Sequence, residues 1–227
     1  MKKMIFTLNV DGYSPEITAI TYPLLKHFAK KIGASFNVIS ERKFPNWPVV
    51  YEKLQISEIT KGMDDFWAIY IDSDALIHPE TPDWTEFIPL DHMAHNGSDF
   101  APIRWTYDKY FQRDGRNIGS CNWFTIASYL CAGDLWRPLD DLTLEQALDN
   151  IHPTVEEMAT IITREHLIDD YTLSRNIARF GLKHINLREI QEKLGMKEAN
   201  FHWHIYTVGK DEKIARMKDT LRAWKLT

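Results

Sequence analysis

The sequence predicts an α/β fold, an α/β/α sandwich around a mainly parallel central sheet. Three observations carry that expectation. The chain opens with strand, helix and strand, the order of a parallel βαβ unit. An uninterrupted apolar run, Phe66 to Ile71, reads as a strand buried on both faces. The second half is mostly helical in periodicity, with short strands between.

Taken in order, Met4 to Val10 reads as the first strand. Ser14 and Pro15 are an N-cap and a first-turn proline, and Ile17, Ile20, Leu24, Phe28 and Ile32 keep helical spacing up to a stop at Gly33. Ser35 to Ser40 is a second strand, followed by the proline- and aromatic-rich loop Phe44 to Pro48 and a helix from about Val49 to Lys61, ended by Gly62. The apolar run at Phe66 comes next. Weaker strands are expected over Asp99–Arg104 and Asn122–Ser128, flanking a polar, aromatic loop, Trp105–Gly119, that reads as lying near a site or facing an acceptor. Thr143 and Thr154 both begin capping boxes. Helices follow over about Thr154–His166 and Tyr171–Phe180, the latter stopped by Gly181. His184–Leu187 and the aromatic Phe201–Tyr206 read as late strands, before a terminal helix bearing Ile214, Met217, Leu221 and Trp224. With no repeat, low-complexity segment or Gly/Ser linker, one domain over residues 1–227 is expected.

Composition narrows the function. A net charge of -5 and a pI near 6.0 lack the basic excess that gripping nucleic-acid phosphates requires. Cys121 and Cys131 are too few for a disulfide scaffold or a four-thiolate zinc site, and fit free thiols in a reducing compartment. No run approaches the ~20 apolar residues that span a bilayer, and the apolar stretch after Lys2 and Lys3 is too short for a signal-peptide core. A soluble cytoplasmic protein is expected.

The chemistry gathers at Asp72-Ser73-Asp74, where the apolar strand ends. Residues two apart in extended chain point to one side, so both carboxylates are expected to converge at the carboxyl end of a central strand, where α/β sheets bind ligands. Two like charges this close repel. A divalent cation relieves the repulsion, and carboxylate oxygens suit magnesium, calcium or manganese.

A hydrophobic strand ending in Asp-x-Asp after a βαβ start resembles the metal-binding motif of GT-A-fold glycosyltransferases. The resemblance covers the Rossmann-like first half, residues 1–104, as the nucleotide-sugar-binding half, and anchor points in the acceptor-side half, 105–227. It implies a metal-dependent transferase that moves a sugar from a nucleotide diphosphate-sugar, a UDP-sugar first, to a glycan, lipid or small-molecule hydroxyl. Lys53, on the helix before the motif, matches a basic residue that family-8-like members place near the donor. Asp169-Asp170 looks like the acidic pair at a helix start beneath the acceptor. Asp170 matches the acid that takes the acceptor proton in inverting members, with Asp169 beside it. A helix N-terminus stabilises a carboxylate there.

The late stretch Phe201 to Lys210 is similar to the segment that supplies a third metal ligand, and His204 and His202 both qualify. Lys210, six after His204, matches a diphosphate-binding lysine, although Gly209 falls outside the family spacing. The resemblance further implies Thr7 or Asp11 at the nucleoside, Asp72 near the ribose as well as the metal, and Asn122 beside the donor sugar. The implied cofactor is Mn2+ or Mg2+. Rival readings are a haloacid-dehalogenase-like phosphatase, for which Asp-x-Asp stands on an unusually late strand, and a sugar nucleotidyltransferase, for which Asn9–Tyr13 holds a single glycine. The third is a non-catalytic carbohydrate-binding relative.

Overall fold

The structure, a computed structural model, describes residues 1–96, 123–128, 132–151, 163–196, 201–205 and 208–226. In chain order the elements are β1 (Lys2–Leu8), α1 (Pro15–Lys31), β2 (Ala34–Ile39), a 3-10 segment (Val49–Gln55) running into α2 (Ile56–Ile59), and β3 (Phe66–Ile71). Then come β4 (Leu76–Ile77), β5 (Met93–His95), β6 (Trp123–Ala127), α3 (Ala132–Leu135) and α4 (Leu144–Asp149). The chain finishes with α5 (Ile168–Arg179), β7 (His184–Asn186), α6 (Leu187–Lys193), β8 (His202–Trp203) and α7 (Lys210–Ala223).

Among the described residues six strands form the central sheet, in the order β2-β1-β3-β6-β5-β7. The β1–β2, β1–β3 and β5–β7 pairings are parallel, and β6 alone runs against its neighbours β3 and β5. The sheet is therefore mainly parallel, and its central strand is buried at every position, as the apolar run requires. Side-chain alternation divides the core into two layers. Met4, Phe6 and Leu8 of β1, with Ala68 and Tyr70 of β3, pack against Leu167, Tyr171 and Leu173 around α5. Ile5, Trp67, Ile69 and Ile71 face the other way onto Leu25, Phe28 and Ala29 of α1. That is the α/β/α sandwich.

Several boundaries differ from expectation for local reasons. Val49–Gln55 is a tight 3-10 segment rather than α-helix, with Tyr51 to Gln55 all buried. α5 begins at Ile168, so Asp169 and Asp170 lie within its first turn instead of preceding it. Asn186 ends β7 and caps α6 by accepting from the Arg188 N–H, so Leu187 belongs to a helix. The late aromatic strand is only two residues long, because its partner β4 offers only Leu76 and Ile77. The strand expected over Asp99–Arg104, the loop Trp105–Gly119 and the capping box at Thr154 lie outside the described residues.

Candidate active site

The chain leaves β1 for β2 on one side and returns to place β3 on the other. Between the carboxyl ends of β1 and β3 the connections therefore diverge, the crevice in which open α/β sheets bind ligands. A cavity of about 730 Å3 lies there. Leu8 at the end of β1 with Val10 and Asp11 just beyond it, Asp72 to Asp74 just beyond β3, Lys53 from the 3-10 segment, Asp169 and Asp170 from α5, and Lys210 and Lys213 from α7 line it.

The two acids converge by a different route from the one extended geometry suggests. β3 ends at Ile71, and the Ala75 N–H donates to the Asp72 carbonyl at 3.1 Å, so Asp72 and Asp74 sit on a turn. Thr21 of α1 fixes that turn by donating its hydroxyl to the Ser73 carbonyl at 2.5 Å. The chain then pairs at once with β8, Leu76 opposite Trp203 and Ile77 opposite His202. This two-residue ladder delivers His204 to the acids. Its Nε2 lies 3.1 Å from Asp74 Oδ1 and 3.8 Å from Asp72 Oδ2. One ligand atom from each of Asp72, Asp74 and His204 falls within 4.8 Å of the other two. Two carboxylate oxygens and an imidazole nitrogen are a donor set that fits a divalent metal ion.

Lysines and phenols bind the acids together. Lys53 is fully buried, 3.5 Å from Asp72 and ion-paired with Asp169, with Nζ 4.5 Å above the Tyr70 ring. Tyr70 donates its hydroxyl to Asp72 Oδ1 at 2.6 Å. On Asp74, Lys213 donates to Oδ2 at 2.5 Å, and Tyr13 donates to the same oxygen at 3.2 Å. Burial pushes the Asp74 carboxyl up, but His204 and Lys213 outweigh burial and hold it well below the usual carboxylate range. Burial pushes Asp169 up, and Lys53 only partly offsets it, so its carboxyl stays above the ordinary value. Burial lowers Lys53, yet Asp169 and Asp72 hold it protonated. Burial likewise lowers His204, and Asp74 more than restores it.

Of the residues singled out in the sequence, Asp11, Lys53, Asp72, Asp74, Asp169, Asp170, His204 and Lys210 line the cavity. Lys210 stands at its mouth, 2.9 Å from Glu16 of α1. Asp11 meets Arg42 at 3.1 Å. Two residues stand elsewhere. Thr7 is fully buried, on the α1 side of the sheet by strand alternation. His202 packs its ring on Trp123, 3.3 Å from the Asn96 amide, and burial pushes its pKa down to about 3. Asn122 lies outside the described residues. Sequence reading missed Tyr13, Tyr70 and Lys213. A signal for Lys213 existed, since residue 213 falls four before Met217, on the buried stripe of α7.

No protein-family model matches the chain. No curated protein matches it in sequence. Solved structures do match in fold. A glycosyltransferase involved in glycosylation of the major capsid of PBCV-1 superposes with a TM-score of 0.53, at 11% identity, over 96% of this chain and 100% of that one. A Drosophila β1,4-galactosyltransferase 7 mutant in complex with manganese, UDP-Gal and xylobiose gives a TM-score of 0.45 at 12% identity, over 91% and 71% of the two chains. The apo glycosyltransferase GlyE of Streptococcus pneumoniae gives 0.47 at 11% identity, over 100% of this chain and 64% of that one. The fold is thus of the GT-A glycosyltransferase type, as the Asp-x-Asp strand implied. Among the described residues no helix is long and apolar enough to cross a membrane.

Proposed function

We propose that the protein is a metal-dependent glycosyltransferase that moves a sugar from a nucleotide diphosphate-sugar, a UDP-sugar first among them, to an acceptor hydroxyl. One observation carries the reading. Asp72, Asp74 and His204 bring three metal-ligand atoms within 4.8 Å of one another, on the wall of a cavity at the β1/β3 crevice. The lining charges agree, since five carboxylates, Asp11, Asp72, Asp74, Asp169 and Asp170, face three lysines, Lys53, Lys210 and Lys213, leaving room for a dication.

In this reading Asp72, Asp74 and His204 would hold Mn2+ or Mg2+, and the ion would supply Lewis-acid stabilisation of a diphosphate leaving group. The apolar wall of Leu8, Val10, Val49 and Val50 receives the nucleoside, with Asp11 as its polar partner. Lys210 meets the diphosphate from the mouth. Lys53 holds Asp72 and Asp169 in one frame, fixing where the donor sugar lies against α5. Asp170, also on the cavity wall, takes the proton from the acceptor hydroxyl.

A thermal-shift screen of nucleotide sugars with and without Mn2+ tests the reading. A ligand at a hundred times its Kd stabilises by about 2.7 kcal/mol. The expected outcome is a raised Tm for one donor only when Mn2+ is present, followed by release of the nucleoside diphosphate when an acceptor is added. No stabilisation by any nucleotide sugar with Mn2+ would remove the proposal.

A further inference from the structure

Lys213 holds a position that the proposed chemistry leaves unexplained. Its side chain is nearly buried, it lines the cavity, and its ammonium donates to Asp74 Oδ2 at 2.5 Å. His204 Nε2 lies 3.1 Å from the other oxygen of the same carboxylate, Oδ1. Both oxygens of Asp74 are thus already engaged by cationic or hydrogen-bonding groups of the chain itself. The lysine also stands near the amino end of α7, where the helix dipole disfavours a cation. Its attraction to Asp74 holds it there.

We infer that Lys213 is a built-in competitor of the metal, occupying Asp74 until a diphosphate draws the ammonium away. This rests on the reading of Asp72, Asp74 and His204 as dication ligands. The physical chain is short. A dication binding Asp74 and an ammonium on the same carboxylate repel one another within a few ångströms, between side chains that are largely buried. The dication therefore has to displace Lys213 from Oδ2 or bind beside it at a penalty. The displaced ammonium, attached to a cavity-lining side chain, has the cavity to move into, where phosphate oxygens offer it new partners.

Metal alone then binds weakly, and metal with diphosphate binds tightly. By linkage the diphosphate tightens the metal by the same factor as the metal tightens the diphosphate. Lys213 acts here as a coupling residue: it touches the ligands' carboxylate and reports on the anion.

Mn2+ binding, read from the electron paramagnetic resonance of free Mn2+, separates the possibilities. Wild-type protein and Lys213→Met are titrated with Mn2+ alone, then with Mn2+ and inorganic pyrophosphate, corrected for the metal complex that pyrophosphate forms in solution. The expected result is about tenfold tighter binding of Mn2+ alone by Lys213→Met, with the enhancement by pyrophosphate reduced by a similar factor. Unchanged or weaker binding of Mn2+ alone, with binding intact in the wild type, overturns the competition and leaves the metal site standing. No Mn2+ binding by either protein, even with pyrophosphate, overturns both. Should Lys213→Met fail to fold, Lys213→Arg keeps the question answerable. Its fork grips the carboxylate more firmly, so Mn2+ alone should bind severalfold more weakly than in wild type, and an equal affinity overturns the inference.

Discussion

Asp72 and Asp74 follow a central strand; Asp169 and Asp170 open a helix. Both pairs line one cavity, and Lys53 reaches an acid of each. Their surroundings nevertheless differ. Asp74 has two cationic partners of its own, His204 and Lys213, and is driven well below the ordinary carboxylate range. Asp169 shares its one lysine with Asp72, and burial leaves it above that range. The same residue type is thus set to hold a cation on one wall and to retain affinity for protons on the other. Environments that push two carboxylates apart in this way mark a division of labour.

The strongest way to break the comparison is to remove what joins the pairs. Lys53→Met leaves Asp169 buried without its cation, and breaking a buried pair from one side costs about 3–5 kcal/mol. At 2–4 °C per kcal/mol for a chain this long, Tm should fall by roughly 10 °C. Adding Asp169→Asn should recover most of the loss. A Tm unchanged by Lys53→Met would mean that the two walls are independent.

Next in size, Asp74→Asn keeps the shape of the side chain and removes the charge. Donor turnover should fall about 10^3-fold, the scale of losing one preorganised electrostatic partner, and stabilisation by Mn2+ should vanish with it. Turnover within twofold of wild type would end the metal argument. Asp170→Asn should lower transfer by about 10^2-fold without changing donor affinity, the signature of a lost proton acceptor. If Asp169→Asn produces that split and Asp170→Asn does not, the base is the other member of the pair.

How legible these walls were in the sequence depended on how local their causes are. The β1–α1–β2 unit and β3 show through periodicity, because each buries a face or a whole strand. Asp72 and Asp74 were singled out through the strand that carries them, and Lys53 and the Asp169–Asp170 pair through the resemblance to GT-A enzymes. β8 showed as part of the late aromatic strand expected over Phe201–Tyr206, but its pairing with β4 did not, since the two-residue strand Leu76–Ile77 has no period. Without it nothing in the sequence separates His204 from His202, which turn to different surroundings only because pairing stops at Trp203. What fixes the turn at Asp72 was hidden as well, because the Thr21 hydroxyl that holds it comes from a helix 52 residues earlier. Lys213 looked like one lysine among several on α7, and only its register with Met217 hinted at burial.

The smallest expected effect separates titration of the site from titration of the fold. His95 on β5 is buried, with Nε2 3.3 Å from Nδ1 of His184 on β7, and burial together with that neighbour pushes its pKa down to about 3. The unfolded chain takes up this proton near pH 6.5 and the folded chain does not, so between those values the unfolded state binds more protons and stability falls as pH falls. From pH 6.5 to pH 5 the loss is about 2 kcal/mol. Asp169 contributes with the opposite sign. Its raised folded pKa means that the folded state gains its proton first, so stability returns as pH falls through that value and is lost as pH rises. Tm measured from pH 7 to pH 5 should therefore flatten in His95→Gln, whereas Asp169→Asn should remove the stability that the wild type regains as pH falls through that carboxyl's raised pKa. If Asp169→Asn leaves the acid side of that profile unchanged, its carboxyl is not held above the ordinary range as its burial requires.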